Sequence, residues 1–299
     1  MLPREPIACA VCDSLEARPV YRKFDLTISR CARCGLVYAT PRATRDEIWQ
    51  RYSPTYFWDE YLPSHGIING QFDLAVIDQR HAPMLRLISS RVPVRGRMLE
   101  VGAGGGFFLK AAERAGWDCE GIEVSATAAD FARTRLQLDV RQGSAEEIPY
   151  QSATVDLAVL FEVIEHLLDP RRALQSVWRA IKPGGRILLS TPNFNALSRR
   201  ALGRQWAVIS PAEHLYYFTE SSLARLLVRA GFADVRFERQ YPGFDVPGTM
   251  NAGCTHEPDS RRAKCYATVA KHCGKHVAWW VREYGFGDTL LCFATRPRI

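Results

Sequence analysis

Four of the nine cysteines form two close pairs near the start of the chain. Two residues separate Cys9 from Cys12 and Cys31 from Cys34, and eighteen residues lie between the pairs. Structural zinc sites have this spacing, because each short turn brings two thiolates onto one tetrahedral Zn²⁺ ion. Gly35 follows the second pair, where such a turn often needs a positive φ. Since four thiolates complete the coordination sphere, we expect a structural Zn²⁺ in a zinc ribbon and not a catalytic metal.

A second group of residues suited to chemistry surrounds a glycine-rich turn. Glu100 precedes Gly102-Ala-Gly-Gly-Gly106, residues 107–115 have helical periodicity, and Glu123 lies near the end of a strand-like segment at 117–124. This order of elements is typical of nucleotide-binding α/β folds: a strand, a glycine turn, a helix, and a second strand that ends in an acidic residue. The glycines let the backbone approach a ligand, the helix N-terminus offers N–H groups, and the acid can accept hydrogen bonds from ribose hydroxyls.

The elements that must position these residues extend along the rest of the chain. Apolar segments typical of strands recur after the glycine turn, and Thr219 is suited to cap a helix. The strand-like segments lie at residues 97–101, 117–124, 156–161, 186–190, 234–239 and 288–295. We therefore predict an α/β fold with a Rossmann-like, doubly wound sheet.

Four segments together resemble the class I S-adenosylmethionine-dependent methyltransferases. Glu100 and the glycines after it resemble the family's first motif, whose acid lies near the methionine moiety. Gly143-Ser-Ala-Glu146 resembles the adenine-contacting segment, with Ser144 in place of the usual acid. Residues 156–167 resemble the fourth strand and its turn, and Ile181-Lys-Pro-Gly-Gly185 resembles the turn before the fifth strand. The resemblance covers about residues 95–235.

This resemblance implies an enzyme with S-adenosylmethionine as its cofactor. It also implies a seven-stranded sheet in which residues 288–295 lie antiparallel beside residues 234–239. The cofactor-binding residues that it implies are Glu100, Gly102, Gly104, Gly106, Glu123, Ser144, Ala145, Glu146, Phe161 and Glu162.

The chain divides into modules around this domain. We expect the zinc ribbon at residues 1–40, a helical linker or cap at 41–92, and the methyltransferase domain at 93–299 with helical insertions at 193–218 and 241–287. In the linker, Thr44-Arg-Asp-Glu47 is a capping box that opens a short helix, and a longer helix is expected at 71–91. The aromatic run at 52–61 either lines a substrate pocket or packs the ribbon onto the main domain, and packing is favoured for most of its members.

Two histidines are candidates for the catalytic base that a hydroxyl acceptor would need. His166 ends the sequence Glu162-Val-Ile-Glu-His166, although that turn could instead pack against the cofactor. His214 lies in the 193–218 insertion, at the edge where substrates of open α/β sheets bind. Glu162, Glu165 and His166 also resemble the metal-binding turn of ubiquinone-pathway O-methyltransferases.

The acceptor class rests on two further resemblances. The ribbon resembles that of bacterial methyltransferases that act on sugars and other secondary metabolites, and so does its continuation, Cys34-Gly-Leu-Val-Tyr-Ala-Thr-Pro41. A later segment resembles one in the same group of enzymes, His214-Leu-Tyr-Tyr-Phe-Thr219. We expect a small-molecule acceptor, methylated on a hydroxyl or carbon of a sugar, nucleotide-sugar or natural product. The alternatives are an rRNA or tRNA base methyltransferase with zinc-assisted RNA binding, and a non-catalytic zinc-ribbon scaffold protein.

Charge and hydropathy narrow the choice of partners. The formal net charge of +7 and the pI of about 9.0 suit an anionic acceptor. The arginines are scattered and form no long basic run, so a nucleic-acid partner is less expected. No apolar stretch has the length of a membrane span and the first residues lack a signal-peptide core, so we expect a cytoplasmic protein. A helix expected near residues 267–284 is suited to a lid or to a contact within an oligomer.

Overall fold

The computed structural model describes residues 6–42, 44–148, 152–239, 255 and 257–298, and only the backbone at 270, 273–280 and 282. In this part of the chain, two β-sheets form, with helices packed on the larger one. Residues 1–5 of the expected ribbon, and all but residue 255 of the stretch 241–256 in the expected insertion, lie outside the described residues. No described helix has both the length and the apolar character needed to cross a bilayer.

The smaller sheet carries the cysteine pairs. Its first two strands, β1 (Ala17–Lys23) and β2 (Leu26–Cys31), form an antiparallel hairpin, and β3 (Val37–Ala39) pairs antiparallel with β2. The fourth strand, β9 (Tyr216–Tyr217), comes from the expected insertion at 193–218 and pairs with β3. Residues of the larger module therefore complete the sheet of the ribbon.

Short helices connect the ribbon to the larger sheet. At the start of α1 (Arg45–Trp49), Glu47 N–H donates to Thr44 Oγ1 over 3.3 Å, and Thr44 N–H donates to Glu47 Oε2 over 2.7 Å, which is the capping box. A 3-10 turn (Gln50–Tyr52), α2 (Pro54–Tyr56), a π-helical turn (Phe57–Tyr61), α3 (Leu62–Ser64) and α4 (Leu74–Arg91) follow. The last of these begins three residues later than expected, because Asp73 caps it by accepting a hydrogen bond from Ala75 N–H.

The larger sheet consists of seven strands. They are β4 (Arg97–Val101), β5 (Asp118–Glu123), β6 (Asp139–Gln142), β7 (Val155–Phe161), β8 (Ile181–Pro192), β10 (Ala233–Phe237) and β11 (Thr289–Thr295). Their order across the sheet is β10-β11-β8-β7-β4-β5-β6, and β11 is antiparallel to both of its neighbours while β4 to β8 run parallel. The predicted seven-stranded, doubly wound α/β fold is confirmed.

Helices cover both faces of this sheet. After the linker they are α5 (Phe107–Arg114), α6 (Ala126–Leu136), α7 (Pro170–Ala180), α8 (Leu197–Leu202), α9 (Glu220–Arg229) and α10 (Arg261–Glu283). Met98 of β4 belongs to a buried cluster with Ile88 of α4 and Phe108 of α5, whereas the next residue, Leu99, belongs to a cluster with Leu174 of α7. Successive side chains of a strand point to opposite faces, which explains this division.

The ribbon packs on the α7 and α9 side of the sheet. Leu36, which is fully buried, belongs to the same apolar cluster as Leu174 of α7. The carboxylate of Asp13 makes ion pairs with Arg171 at 2.5 Å and Arg229 at 2.8 Å. Exposed pairs contribute about 0–1 kcal/mol each, whereas fully burying a leucine side chain contributes about 1.5–3 kcal/mol. Apolar burial is therefore the larger part of this attachment.

Candidate active site

A cavity of about 960 Å³ lies at the carboxyl ends of the parallel strands. Its wall joins the ends of β4, β5 and β7 to side chains of the linker helices. The implied cofactor residues that line it are Glu100, Gly102, Gly104, Glu123, Ser144, Ala145, Glu146, Phe161 and Glu162. Pockets for small molecules in proteins measure about 300–1,000 Å³, so the cavity has room for a cofactor together with a small acceptor.

Gly106 is not part of the cavity wall, although the sequence implies it as a cofactor residue. It precedes α5 with a φ of +81°. A Cβ atom at this position would lie 2.7 Å from Leu138 Cδ1 and 3.0 Å from Ala132 Cβ, which is closer than such atoms pack. The structure thus explains this glycine by its positive φ and by the packing of the turn against these two side chains.

Two backbone amides fix the carboxylate of Glu123 at the end of β5. Gly104 N–H donates to Glu123 Oε2 and Ser125 N–H donates to Glu123 Oε1, both over 2.8 Å. Burial raises the pKa of the Glu123 carboxyl, and the two amides oppose that shift. The side chain is therefore held rigidly in the cavity wall, with lone pairs left over for a ligand.

An aromatic side chain from the linker covers the glycine turn. Gly105 N–H donates to Tyr61 Oη over 3.0 Å, and the Tyr61 ring stacks on Phe57 and Phe107. The aromatic run thus packs partly on the glycine turn and α5, but most of its members also line the cavity, namely Tyr52, Tyr56, Phe57 and Tyr61. Sequence reasoning left open whether this run lines a pocket, since its partners are distant in the sequence.

Glu100, at the end of β4, carries an unpaired oxygen in the cavity wall. Its Oε2 is buried and has no hydrogen-bond partner among the described residues. Burial and the nearby charge of Glu123 raise the pKa of the Glu100 carboxyl well above its ordinary value. An unpaired buried carboxylate is costly unless a cation or a donor satisfies it. The site is therefore suited to a positively charged group of a ligand.

The segment implied to contact adenine makes a compact turn beside the cavity. Ser144 Oγ donates to Glu146 Oε2, and Glu146 N–H donates back to Ser144 Oγ over 3.3 Å. Asp169 N–H donates to Glu146 Oε1 over 3.3 Å, and Ala145 between the two polar residues is buried. The carboxylate of Glu146 thus lies within the turn that starts at Ser144, where the family has its acid.

The turn after β7 holds two further acids, of which Glu165 is buried and Glu162 is exposed. Glu162 has a φ of +54°, and its Oε1 accepts a 2.7 Å hydrogen bond from Ser190 Oγ. Glu165 Oε2 accepts a 2.9 Å hydrogen bond from Thr191 Oγ1, and the carboxyls of Glu162 and Glu165 also share a hydrogen bond. Burial raises the pKa of the Glu165 carboxyl well above its ordinary value, and the charge of Glu162 raises it further.

The two candidate bases lie side by side. The ring centroids of His166 and His214 are 4.8 Å apart, and His166 lines the cavity. His166 Nδ1 lies 2.9 Å from the carbonyl oxygen of Glu213, and His214 Nδ1 lies 2.7 Å from that of Val208. Since a carbonyl oxygen only accepts, each Nδ1 carries the proton and each Nε2 keeps its lone pair. Burial lowers the pKa of His166 to about 3 and also lowers the pKa of His214, so both rings are neutral near pH 7.

The backbone that precedes β9 brings these histidines together. Leu215 N–H and Tyr216 N–H donate to the carbonyl oxygen of Glu165 over 2.8 and 3.1 Å. The structure groups Glu165 and His166 with His214, while Glu162 bonds to Ser190 instead. Spacing along the chain cannot show this grouping, because His214 arrives from the insertion.

The four paired cysteines converge at the base of the ribbon. Their sulfur atoms all lie within 4.8 Å of one another, with Cys9 Sγ 3.3 Å from Cys34 Sγ and Cys12 Sγ 3.4 Å from Cys31 Sγ. Gly35 follows with a φ of +79°, as the turn requires. Four sulfur atoms that each lie about 2.3 Å from one tetrahedral ion would be separated from one another by distances similar to these. The cluster is compatible with a zinc ribbon.

Comparison with known proteins places the larger module in a family. A family model described as a methyltransferase domain matches residues 77–236, which is more than half of the 299 residues. The chain belongs to this methyltransferase family. The resemblance on which the sequence reasoning depends is confirmed.

Named relatives agree with this membership. The chain is similar to a probable S-adenosylmethionine-dependent methyltransferase of Mycolicibacterium smegmatis, with 31% identity over 155 residues, 52% of this chain and 58% of the relative. It is also similar to a ubiquinone biosynthesis O-methyltransferase of Cereibacter sphaeroides, with 28% identity over 188 residues, 59% of this chain and 76% of the relative. The chain thus spans little more than half of the mycobacterial relative that it matches.

A solved structure shares the fold. The crystal structure of a SAM-dependent methyltransferase from Archaeoglobus fulgidus superimposes with a TM-score of 0.52 and 18% identity, covering 79% of this chain and all of that one. At this identity the likeness concerns the fold alone.

Replacing Gly104 by alanine tests the glycine turn. A Cβ atom would overlap the hydroxyl of Tyr61, and the φ of +52° disfavours any side chain. We expect Gly104→Ala to weaken binding of S-adenosylmethionine at least about tenfold, equivalent to 1.4 kcal/mol, in a titration calorimeter. Gly287→Ala is the control, because a Cβ atom there meets nothing within 4 Å. Equal affinity of the Gly104 variant and the wild type would contradict this role of the turn.

Proposed function

We propose that the protein transfers a methyl group from S-adenosylmethionine to a small-molecule acceptor, on a hydroxyl or carbon of a sugar, a nucleotide-sugar or a natural product. The observation that carries this proposal is the cavity at the strand ends, in which Glu100 presents an unpaired, buried carboxylate oxygen. Membership of the methyltransferase family supplies the reaction class. Bound S-adenosylmethionine supplies an electrophilic methyl group on a positively charged sulfur.

Three parts of the cavity wall would hold this cofactor. Glu100 fits a cationic group of the methionine moiety, because its Oε2 is buried and has no hydrogen-bond partner among the described residues. Glu123, fixed by two backbone amides, would accept hydrogen bonds from the ribose hydroxyls. The turn from Ser144 to Glu146 would contact the adenine, with Ala145 as its apolar surface. Phe161 lies in the same wall.

The remainder of the wall suits a small acceptor. His65, Arg80, His81 and Met84, from the linker and α4, line the cavity together with Phe161. An acceptor must therefore fit between helices and strand ends, which favours a small molecule over a nucleic acid. Arg45, Arg51 and Arg172 line the cavity as well, and guanidinium groups in its wall suit an anionic acceptor. The ubiquinone biosynthesis name of one relative is consistent with transfer to a hydroxyl of a small molecule.

His166 and His214 are the candidate proton acceptors. A neutral imidazole with a free Nε2 lone pair is the form that a general base requires. His166 lies in the cavity wall and is placed to take a proton from an acceptor hydroxyl, whereas His214 does not line the cavity and contacts the His166 ring. A carbon acceptor activated by its own substituents would need positioning more than a base.

Proton release on cofactor binding tests the role of Glu100. Because the raised pKa leaves a proton on the free carboxyl at pH values just above its ordinary range, a bound cation would expel that proton. We expect calorimetry in two buffers of different ionisation enthalpy to show that S-adenosylmethionine binding releases a proton. The affinity for S-adenosylmethionine should fall as the pH falls. Glu100→Gln should abolish the release and weaken binding about tenfold, as for a hydrogen bond to a charged group.

Glu113→Gln is the matched control for this experiment, since Glu113 lies on α5 outside the cavity wall and pairs with Lys110. This variant should behave like the wild type. If the wild type binds no S-adenosylmethionine, the enzyme proposal fails and the scaffold alternative stands. If it binds the cofactor without releasing a proton, the assignment of Glu100 fails on its own.

A screen of hydroxylated metabolites and nucleotide-sugars for release of S-adenosylhomocysteine tests the acceptor class. With an acceptor found, we expect His166→Ala and His214→Ala to lower kcat by about 10²–10⁴-fold while S-adenosylmethionine still binds. His272→Ala, an exposed histidine on α10, should keep full activity. Full activity of the His214 variant would remove it as a base, and activity only on RNA would overturn the small-molecule assignment.

We further propose that the cysteine cluster binds one structural Zn²⁺ ion. The short distances between the four sulfur atoms support this proposal. It is also supported by the position of β3, which follows the second cysteine pair and is fixed by its pairing with β9. Cys12→Ser combined with Cys31→Ser should remove one zinc per chain in elemental analysis and lower the thermal unfolding midpoint, because metal binding stabilises such folds. Cys265→Ser, at an exposed position on α10, is the control. Unchanged zinc content in the double variant would refute the site.

A further inference from the structure

A histidine on α4 lines the cavity with an unused hydrogen-bonding atom. His81 Nε2 is buried, and it has no hydrogen-bond partner among the described residues. Buried polar side-chain atoms in folded proteins nearly always have such a partner. In the described part of the cavity wall, Glu100 Oε2 is the only other buried atom in this state, and the proposed function pairs it with the cofactor. His81 therefore needs a partner that the proposed cofactor contacts do not supply.

The order of the strands shows which end of the cavity lies beyond the cofactor. β6, β5, β4 and β7 lie side by side in this order. The turn proposed to contact adenine follows β6, Glu123 ends β5, and Glu100 lies near the end of β4. A cofactor held by these residues runs across the strand ends from β6 to β4. The end of β7, which is Phe161, therefore lies beyond the methionine moiety, where an acceptor must bind.

Aromatic contacts join His81 to the end of β7. The rings of His81 and Phe108 meet edge to face with their centroids 5.6 Å apart, and those of Phe108 and Phe161 do so at 4.7 Å. Met84, three residues after His81 on α4, is buried in the same apolar cluster as Phe108. All four residues line the cavity. His81 thus belongs to an apolar part of the wall at the acceptor end.

The polar neighbours of His81 already bond to the backbone. Arg80 Nη1 donates to the carbonyl oxygen of His65 over 2.7 Å, and His65 Nδ1 lies 2.9 Å from the carbonyl oxygen of Tyr61. Burial, with a smaller contribution from the charge of Arg80, lowers the pKa of His81 to about 4. At pH 7 the His81 ring is therefore a neutral imidazole, with one nitrogen that donates and one that accepts.

We propose that His81 binds a polar substituent, such as a hydroxyl, of an acceptor whose apolar ring packs on the neighbouring side chains of the wall. Those side chains are Met84, Phe108 and Phe161. The inference rests on the proposed methyl transfer and narrows its acceptor to a hydroxylated natural product with an apolar ring. A sugar carries many hydroxyls, and hydroxyls buried against an apolar wall without partners are unfavourable. A ring with one or two hydroxyls avoids this, because His81 can bond to one and the candidate base His166 to the other.

Phenol and toluene differ by one polar group, so together they test this contact. Each is titrated into the full-length protein saturated with S-adenosylhomocysteine, with ¹⁵N-labelled histidines observed by NMR. We expect phenol, but not toluene, to shift the nitrogen resonances of His81. His81→Phe keeps an aromatic ring and removes both nitrogens. It should lower the preference for phenol over toluene, measured as the ratio of the two dissociation constants, by about 3- to 10-fold, the effect of one hydrogen bond.

Two further variants control for other causes. His272→Phe makes the same change at an exposed position on α10 and should leave the preference for phenol unchanged. His81→Gln keeps a donor and an acceptor and should retain most of that preference. The affinity of each variant for S-adenosylhomocysteine should equal that of the wild type, since His81 is assigned to the acceptor and not to the cofactor. Circular dichroism reports whether each variant is folded.

The inference is overturned if phenol leaves the His81 resonances of the wild type unshifted, or if folded His81→Phe keeps the full preference for phenol. Binding of S-adenosylhomocysteine that is tenfold weaker in folded His81→Phe would assign the residue to the cofactor instead. Binding of UDP-glucose without binding of phenol would overturn the acceptor class. If the wild type binds neither S-adenosylmethionine nor S-adenosylhomocysteine, the proposed function itself fails, whereas the other results concern His81 alone.

Discussion

A short run of backbone hydrogen bonds around residues 215–217 connects the ribbon, the 193–218 segment and the turn after β7. Ala39 N–H donates to the carbonyl oxygen of Leu215, and Leu215 N–H donates to the carbonyl oxygen of Glu165. β9 pairs with β3 of the ribbon immediately afterwards. The ribbon, the insertion and the turn after β7 therefore share one backbone segment. Because His214 directly precedes this segment, the ribbon is linked to the pair formed by His214 and His166 through only a few residues.

The second constraint is the burial of acids at the edge of the sheet. Glu100, Glu123 and Glu165 are all buried, and burial raises the pKa of each carboxyl. Burying a carboxylate without a partner is unfavourable, and a ligand that satisfies it recovers that free energy. Glu100 Oε2 has no hydrogen-bond partner among the described residues and lies in the cavity wall, where a cationic ligand would satisfy it.

Features that depend on a few neighbouring residues could be predicted. The capping box of Thr44 and Glu47 forms, the glycine turn adopts positive φ at Gly102 and Gly104, and the cysteine pairs converge. The start of α4 was expected too early, because the cap at Asp73 is a weaker sequence signal than the apolar periodicity. The contact of Tyr61 with the glycine turn was not predictable, since it depends on how the linker folds back over the sheet.

The sequence by itself determined the order of the elements, the glycine turn that lines the cavity and the convergence of the four paired cysteines. These follow from local spacing, because turns, caps and short motifs act over a few residues. Only the tertiary structure decided that β9 completes the ribbon sheet, that Gly106 serves packing and that His214 joins Glu165 and His166. These groupings arise from hydrogen bonds and apolar contacts between segments far apart in the chain, and no local pattern of residue types records which distant segments will meet.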